Sequence, residues 1–260
     1  MKKFFFIIWD NPKFYQTLVF LSKYLSIKNY KVYILHRKIR KNEDFIGRLD
    51  FGNKAKFLYC PIDFKFFPTY VNYVIFILFV VFKFFLINPS KVIFFNRYAL
   101  LSSTFISIFK KKNVHFFYHN FDFDNPYKIK SFKRKFISIL EKRVLKNIDF
   151  LVFPSNKRGL LYKKFFNVIS KKIFTLQNCF PKKFKIKNDN KFKIFLKKNN
   201  LLQKKIICML GTIGPDHFID KIVESAKYAS KDTIFVFGGT VVNKFDKKIL
   251  KKIEKLKLNN

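Results

Sequence analysis

Cysteine is scarce in this sequence, and the few cysteines do not form a motif. Cys60, Cys179 and Cys208 lie far apart along the chain, and no CxxC pair occurs. Zinc sites and disulfide frameworks need closely spaced or paired cysteines. We therefore expect small buried thiols in a reducing cytoplasm, and no metal site.

Acidic residues are also scarce, and the positive charge that results is spread along the whole chain. Asp and Glu total 16 against 54 Lys and Arg, which gives a formal net charge of +38. Lysines are scattered along the whole chain, whereas arginine, the residue best suited to reading bases and phosphates, is rare. Diffuse charge of this kind favours an anionic membrane surface as partner and argues against a nucleic acid.

The start of the chain imitates a secretory signal but lacks two of its features. The apolar run Phe4–Trp9 is broken at once by Asp10-Asn11-Pro12, and no small-residue cleavage site follows. Such a run is too short for the apolar core of a signal peptide. We interpret Phe4–Ile8 as a first buried strand.

Short apolar runs alternate with longer segments of helical period, which predicts βαβ units and a parallel sheet. The fold class is therefore α/β. Residues 1–181 are predicted to form a first Rossmann-like domain, whose strands are Phe4–Ile8, Lys31–Leu35, Lys56–Tyr59, Lys91–Phe95, Val114–Tyr118, Phe150–Phe153 and Ile173–Leu176.

The remainder of the chain predicts a smaller second unit. Residues 182–203 are rich in Lys and Asn and are interpreted as a linker. Residues 204–260 contain two predicted strands, Lys205–Leu210 and Thr233–Phe237, and two helices. Because a doubly wound domain usually has more strands, this unit is either a fragment or a degenerate domain that leans on the first.

The apolar stretch Pro68–Ile87 admits two interpretations. Its length permits a transmembrane helix. However, strands of one continuing βα pattern are predicted on both sides, and Lys83 lies within it. The alternative is an apolar helix that packs on the sheet by one face and dips into lipid by the other, with Lys65 and Lys91 near the headgroups.

The segment from His119 to Pro181 resembles the end of the first domain of family 4 glycosyltransferases, which have the two-domain GT-B fold. The motifs are Tyr118-His119-Asn120, Leu140-Glu141-Lys142-Arg143, Asn147-Ile148-Asp149, Phe153-Pro154-Ser155 and Leu176-Gln177-Asn178-Cys179. Three later segments are similar to the opening of that family's donor-binding domain: Leu210-Gly211-Thr212-Ile213-Gly214-Pro215, Ile222-Val223-Glu224-Ser225-Ala226 and Val236-Phe237-Gly238-Gly239.

The resemblance implies a catalytic role for His119, which would hydrogen-bond the transferred sugar or the leaving group. The alternative is a structural histidine at the rim of the core. Glycine turns before a helix would bring backbone amides to the donor diphosphate, or would be ordinary turns. The donor-binding candidates are Gly211, Gly214, Gly238 and Gly239, and the acceptor-side candidates are Asp10, Asn11, Ser155 and Asn178. Asp122 and Asp124 are either acid/base carboxylates or part of a solvated loop.

The sequence departs from the family pattern in two places, so a shared ancestry does not by itself imply activity. Pro215-Asp216-His217-Phe218 stands where the family has an Arg and a Lys, and the family's late pair of glutamates is absent from these 260 residues. The resemblance implies a glycosyltransferase that moves a sugar from a nucleotide-sugar donor, with no other cofactor, to a lipid-linked or cell-envelope glycan acceptor. It would lie peripherally at the cytoplasmic face of the cell membrane. The alternative is a non-catalytic remnant or partner subunit that binds a membrane or a chain supplying the missing C-terminal half.

Overall fold

The computed structural model contains two compact units, residues 1–184 and 185–260. It describes residues 2–12, 15–37, 50–60, 68–121, 132–177, 190–211, 213–214, 218–239, 241 and 245–256. The boundary between the units thus lies at residue 184, and the sequence-based prediction for the end of the first domain is residue 181. Helix Lys191–Lys198 lies within the segment interpreted as a linker, and the sequence analysis did not predict it.

The first unit is built on a sheet of seven strands in the order β3-β2-β1-β4-β5-β6-β7. All neighbouring strands in it are parallel. The strands are β1 Lys3–Ile8, β2 Lys31–Arg37, β3 Ala55–Cys60, β4 Lys91–Phe95, β5 His115–His119, β6 Phe150–Phe153 and β7 Lys172–Thr175. The predicted α/β architecture with a parallel sheet is therefore confirmed.

Helices connect these strands, and the second unit contains helices as well. They are α1 Gln16–Ile27, α2 Thr69–Ile87, α3 Asn96–Leu101, α4 Ser103–Ile106, α5 Phe132–Val144, α6 Asn156–Phe166, α7 Lys191–Lys198, α8 Ile219–Ser225 and α9 Phe245–Lys255. Single 3₁₀ turns follow α4, α5 and α8, at Ser107–Phe109, Leu145–Asn147 and Ala226–Tyr228.

The central strands are apolar because both faces of the sheet are covered. In β1, Phe5 and Ile7 belong to one buried cluster and Phe4, Phe6 and Ile8 to the other. This alternation is the two-residue period of a strand, and a strand buried on both faces reads as a continuous apolar run. Leu18 of α1 lies in the second cluster, whereas α2 contributes to the first.

The strand order places a topological switch point between β1 and β4. The chain moves outward from β1 through β2 to β3, crosses back, and then proceeds from β4 to β7 in the opposite direction. Ligands of open α/β sheets bind beyond the carboxyl ends of the strands at such a point. The residues that follow β1 and β4 are therefore the first place to look for a site.

Helix α2 lies on the sheet, as the second interpretation of its sequence predicted. Phe76 packs edge-on against Trp9 at 5.1 Å between ring centroids, and Phe84 approaches Phe116 at 6.3 Å. Among the described residues, α2 is long and apolar enough to cross a membrane by length and composition, with 22% of its most apolar window buried. It connects β3 to β4, two strands of the same sheet.

The second unit has a parallel pair, β8 Lys205–Leu210 and β9 Thr233–Gly238. Its helices α8 and α9 pack through the apolar residues Ile219, Val223, Phe245 and Ile249. Beside them, Glu224 receives hydrogen bonds from the ammonium groups of Lys221 and Lys252, at 2.9 and 2.6 Å. These contacts hold the pKa of the Glu224 carboxyl near 2.

Candidate functional site

Three polar side chains meet at the switch point of the sheet. Asn96, the first residue after β4, donates from Nδ2 to Oδ2 of Asp10, which follows β1, at 2.7 Å. The same amide donates to the Tyr15 hydroxyl at 2.7 Å, and that hydroxyl donates to Asp10 Oδ2 at 3.1 Å. Asn96 adopts a left-handed backbone conformation with φ of 64°, which few residues other than Gly, Asn and Asp accept readily. We call Asp10, Tyr15 and Asn96 the switch-point cluster.

His119 is the last residue of β5 and is wholly buried at the same edge of the sheet. Its imidazole stacks on Phe95 at 5.3 Å between centroids and lies 4.2 Å from the ring of Phe121. The Tyr15 ring contacts Phe121 at 5.0 Å. Aromatic contacts therefore connect His119 to the switch-point cluster.

The imidazole of His119 is neutral, and within the described part of the chain both of its ring nitrogens lack a hydrogen-bond partner. Burial lowers its pKa to about 3, so the ring carries no charge near neutral pH. Neither ring nitrogen has a hydrogen-bond partner among the described residues. A neutral imidazole has one donor and one acceptor, and leaving such a buried group unsatisfied costs about 1–3 kcal/mol. Such a ring can bind a hydroxyl group, but it cannot supply a positive charge.

Acidification is expected to destabilise the first unit through His119. Between pH 6.5 and 3 the unfolded chain binds a proton on this ring and the folded chain does not. Stability is therefore retained above pH 6.5 and falls as the pH decreases toward 3, by at most about 1.4 kcal/mol per pH unit. In His119→Phe, urea unfolding followed by Trp9 fluorescence should show a smaller pH dependence and an unchanged or higher free energy of unfolding at pH 7. An unaltered pH dependence in the variant would contradict this assignment.

A buried carboxylate lies behind the switch-point cluster, on the opposite face of the sheet from His119. Oε1 of Glu141 on α5 accepts hydrogen bonds from the hydroxyls of Tyr118 and Tyr162, each at 2.7 Å. Its Oε2 lies 3.8 Å from Nε of Arg97, the residue after Asn96. Burial first, and then the charge of Glu141, raises the pKa of both tyrosines well above the usual value, which keeps them protonated donors. This cluster fixes β5, α3, α5 and α6 to one another.

The other acceptor-side candidates differ in what surrounds them. Asn11 is buried next to Asp10. Ser155 caps α6, because its hydroxyl accepts from the backbone amide of Arg158 at 3.3 Å. The Arg158 guanidinium in turn donates to the carbonyl of Phe121 at 2.9 Å. Asn178, Asp122 and Asp124 lie outside the described residues.

The donor-side glycines lie at the carboxyl ends of β8 and β9. The amide of Gly211 donates to the carbonyl of Gly238 at 2.8 Å, and Gly214 is buried. Gly211 and Gly239 have φ values of 140° and 153°, and a Cβ on Gly239 would lie 1.5 Å from the carbonyl oxygen of Gly211. The positive φ values and the close approach of the two strand ends therefore favour glycine at positions 211 and 239, independently of any ligand. The helix that follows, α8, begins at Ile219 and has seven residues.

Sequence reasoning missed Tyr15, Asn96 and Arg97 as residues of this region. A usable signal existed, because Asn96-Arg97 directly follows the predicted strand Lys91–Phe95. Their relation to Asp10 depends on β4 lying next to β1, which no local motif encodes. Among the described residues, no group of three or more His, Cys, Asp or Glu could hold a metal ion.

Comparison with known proteins identifies the fold. No protein-family model matches the chain, and no curated protein matches it by sequence. Among solved structures, sucrose-phosphate synthase from Thermosynechococcus elongatus is similar with a TM-score of 0.74 and 11% identity, over 100% of this chain and 69% of that one. The Anabaena protein HepE, in complex with UDP and glucose, has a TM-score of 0.70 and 10% identity, over 100% of this chain and 68% of HepE. UDP-GlcNAc 2-epimerase from Methanocaldococcus jannaschii has a TM-score of 0.60 and 14% identity, over 98% of this chain and 69% of the epimerase.

These structures share an architecture but very little sequence with the chain. The chain spans about two thirds of the length of each of them. The GT-B-like, Rossmann-type α/β fold predicted from the sequence is thereby confirmed.

Proposed function

We propose that the chain takes part in glycosyl transfer from a nucleotide-sugar donor, with the edge of the seven-stranded sheet as the acceptor side. The observation that carries this proposal is the neutral, buried His119, whose ring nitrogens have no partner among the described residues. It lies at the sheet edge where α/β folds bind ligands. HepE, a structure of the same fold, was crystallised with UDP-glucose, and another is a sucrose-phosphate synthase, which supports nucleotide-sugar chemistry.

The side chains at this edge suit a sugar that carries hydroxyl groups. The imidazole of His119 would donate to one hydroxyl and accept from another. In the transfer, an acceptor hydroxyl oxygen forms a bond to the anomeric carbon of the donor sugar. The bond from that carbon to the diphosphate oxygen breaks, and the nucleoside diphosphate leaves. We propose the Asp10 carboxylate as the group that receives the hydroxyl proton, oriented by Asn96 and Tyr15.

For the donor side, we propose the glycine turns of the second unit. Backbone amides near Gly211, Gly214, Gly238 and Gly239 would bind diphosphate oxygens, and neighbouring lysines would offset their charge. No cofactor besides the nucleotide sugar is proposed. Membership of glycosyltransferase family 4 remains part of this proposal, and it rests on the order of the sequence motifs.

The proposed acceptor is a lipid-linked or cell-envelope glycan at the cytoplasmic face of the cell membrane. Support comes from the net charge of +38 and from the exposed apolar side chains of α2. Anionic headgroups attract positive charge of this kind, and lipid-linked acceptors are held in the same layer.

Radiolabelled nucleotide sugars incubated with the chain and a bacterial membrane-lipid extract test the proposal. We expect the label of one donor to appear in an organic-phase or polymeric product. Absence of product with every donor, both from this chain and from a longer relative of the same fold, would overturn it. Conversion of the donor to an epimer without transfer would overturn it as well. Vesicle binding without transfer would favour the non-catalytic alternative.

A further inference from the structure

The outward stripe of α2 is apolar along its entire length. Its members are the residues that recur every three or four positions on the side away from the sheet: Tyr70, Val74, Leu78, Phe82, Phe85 and Leu86, all at least half exposed. The opposite stripe, formed by Phe76, Val80, Phe84 and Ile87, is buried. A helix on the surface of a globular domain normally presents charged and polar residues on its outer face. We call the six exposed residues the α2 stripe.

The turn after α4 extends this apolar surface. The ring of Phe109 contacts that of Phe85 at 4.8 Å between centroids, and Ile108 beside it is among the most exposed apolar residues of the first unit. A single exposed apolar side chain needs no explanation, but a contiguous patch marks a binding surface.

The segment that carries the stripe contains no acidic residue, since no Asp or Glu occurs in the sequence between Asp63 and Asp122. Of the basic residues in that segment, Arg97 and Lys110 pair with Glu141 and Asp149 from later in the chain, so the positive rim is supplied by Lys83, Lys111 and Lys112. The Lys83 ammonium lies over the rings of Phe79 and Phe82, at 5.1 and 5.2 Å, on the flank of the stripe. Lys111 and Lys112 are exposed two and three residues after Phe109. The surface therefore combines apolar side chains with a cationic rim.

We propose that the α2 stripe, together with Ile108 and Phe109, inserts into the interfacial layer of an anionic bilayer, with α2 lying along the membrane plane. Apolar side chains would enter the boundary between headgroups and acyl chains, while the lysines would bind lipid phosphates. The inference extends the proposed function by naming the surface that faces the membrane, but it does not require that the chain transfers sugar.

Two other occupants fit the observations less well. A membrane-spanning orientation would remove Phe76, Val80 and Phe84 from the sheet, although β3 and β4 on either side of α2 belong to that same sheet. A second copy of the chain would place its own cationic rim against this one, and two chains that each carry a net charge of +38 repel each other. An anionic lipid surface satisfies both the apolar stripe and the charge.

Vesicle flotation of the full chain tests the inference. We expect wild-type protein to float with phosphatidylcholine vesicles that contain about one third phosphatidylglycerol, and to bind pure phosphatidylcholine much more weakly. The double variant Leu78→Ser/Phe82→Ser removes side chains that are 63% and 54% exposed. Its partition onto the anionic vesicles should fall at least about tenfold. The matched control, Ile27→Ser/Ile169→Ser, removes side chains that are 72% and 70% exposed elsewhere on the first unit and should bind like wild type.

A second readout locates the stripe within the bilayer. The fluorescence of the Phe82→Trp variant should be quenched by brominated lipids, whereas that of Ile27→Trp should not, with the buried Trp9 as a common background. Equal flotation of both double variants would overturn the proposal in favour of adsorption by charge alone. A lipid-free dimer that dissociates in the Leu78→Ser/Phe82→Ser variant would overturn it in favour of a second copy. Failure of glycosyl transfer leaves these measurements intact, because no donor sugar is present in them.

Discussion

Replacement of Gly239 by alanine is expected to destabilise the second unit by roughly 3 kcal/mol or more. The added Cβ would lie 1.5 Å from the carbonyl oxygen of Gly211, far inside van der Waals contact. Since that oxygen belongs to backbone, the clash can be relieved only by separating the ends of β8 and β9. The φ of 153° adds strain that side chains of L residues rarely tolerate.

Gly211→Ala provides the matched control for this prediction. Its φ of 140° is also unfavourable for alanine, but no atom lies within 4 Å of the added Cβ. The free energy of unfolding of this variant should therefore fall only by the cost of backbone strain, about 1–2 kcal/mol. Hydrogen exchange of the β8 and β9 amides, measured by mass spectrometry, reports the stability of this unit. Equal protection in the two variants would show that the close approach of the strand ends does not matter.

Truncation of Glu141 is expected to destabilise the first unit by about 3–5 kcal/mol. In Glu141→Ala the hydroxyls of Tyr118 and Tyr162 lose their acceptor inside the core, and Arg97 loses its carboxylate. Removing one partner of a buried polar network leaves the others unsatisfied, and this penalty exceeds the value of any single bond. Urea unfolding followed by Trp9, which lies in the core of the same unit, measures the loss.

The control for this cluster is Tyr162→Phe, which removes one donor and retains the ring. Because Tyr118 and Arg97 still satisfy the carboxylate, this variant should lose only about 1–2 kcal/mol. A loss as large as that of Glu141→Ala would mean that packing of the Tyr162 ring, and not the carboxylate, stabilises this region.

The strands of both units were predicted from sequence to within two residues at either end. The reason is physical: β1, β4 and β6 are buried on both faces, so Phe, Ile, Val and Leu run without interruption between polar turns. The predicted strand Val114–Tyr118 stops one residue early, because His119 completes the ladder opposite Phe95. A buried histidine cannot be distinguished from a turn residue by apolar pattern alone.

Helix boundaries were predicted less well. The segment Tyr98–Phe109 reads as one helix, but the structure begins it at Asn96 and divides it at Ser102 into α3 and α4. The Ser102 hydroxyl donates to the carbonyl of Ala99 at 2.6 Å, a local bond that competes with the regular helical pattern. Helix α7 was missed because its surroundings are rich in Lys and Asn.

The placement of two candidate residues could be predicted from the sequence, whereas their role stays a prediction. His119 and Asp10 each follow an apolar run, and polar residues after parallel strands gather at one edge of a sheet. Asn96 and Tyr15 were not predicted as partners of Asp10, because no local sequence pattern indicates that β4 lies beside β1. The same holds for Arg97 and Glu141, whose 3.8 Å contact joins residues 44 positions apart in sequence.

The rate of sugar transfer by His119→Phe tests the central proposal most directly. The variant keeps an aromatic ring between Phe95 and Phe121, slightly larger than the imidazole, and removes the two ring nitrogens. His115→Phe is the matched control, since it changes the histidine at the opposite end of the same strand. We expect His119→Phe to lower kcat/KM about 100-fold with no loss of stability at pH 7, and His115→Phe to transfer sugar like wild type. Equal transfer by His119→Phe and wild type would contradict it.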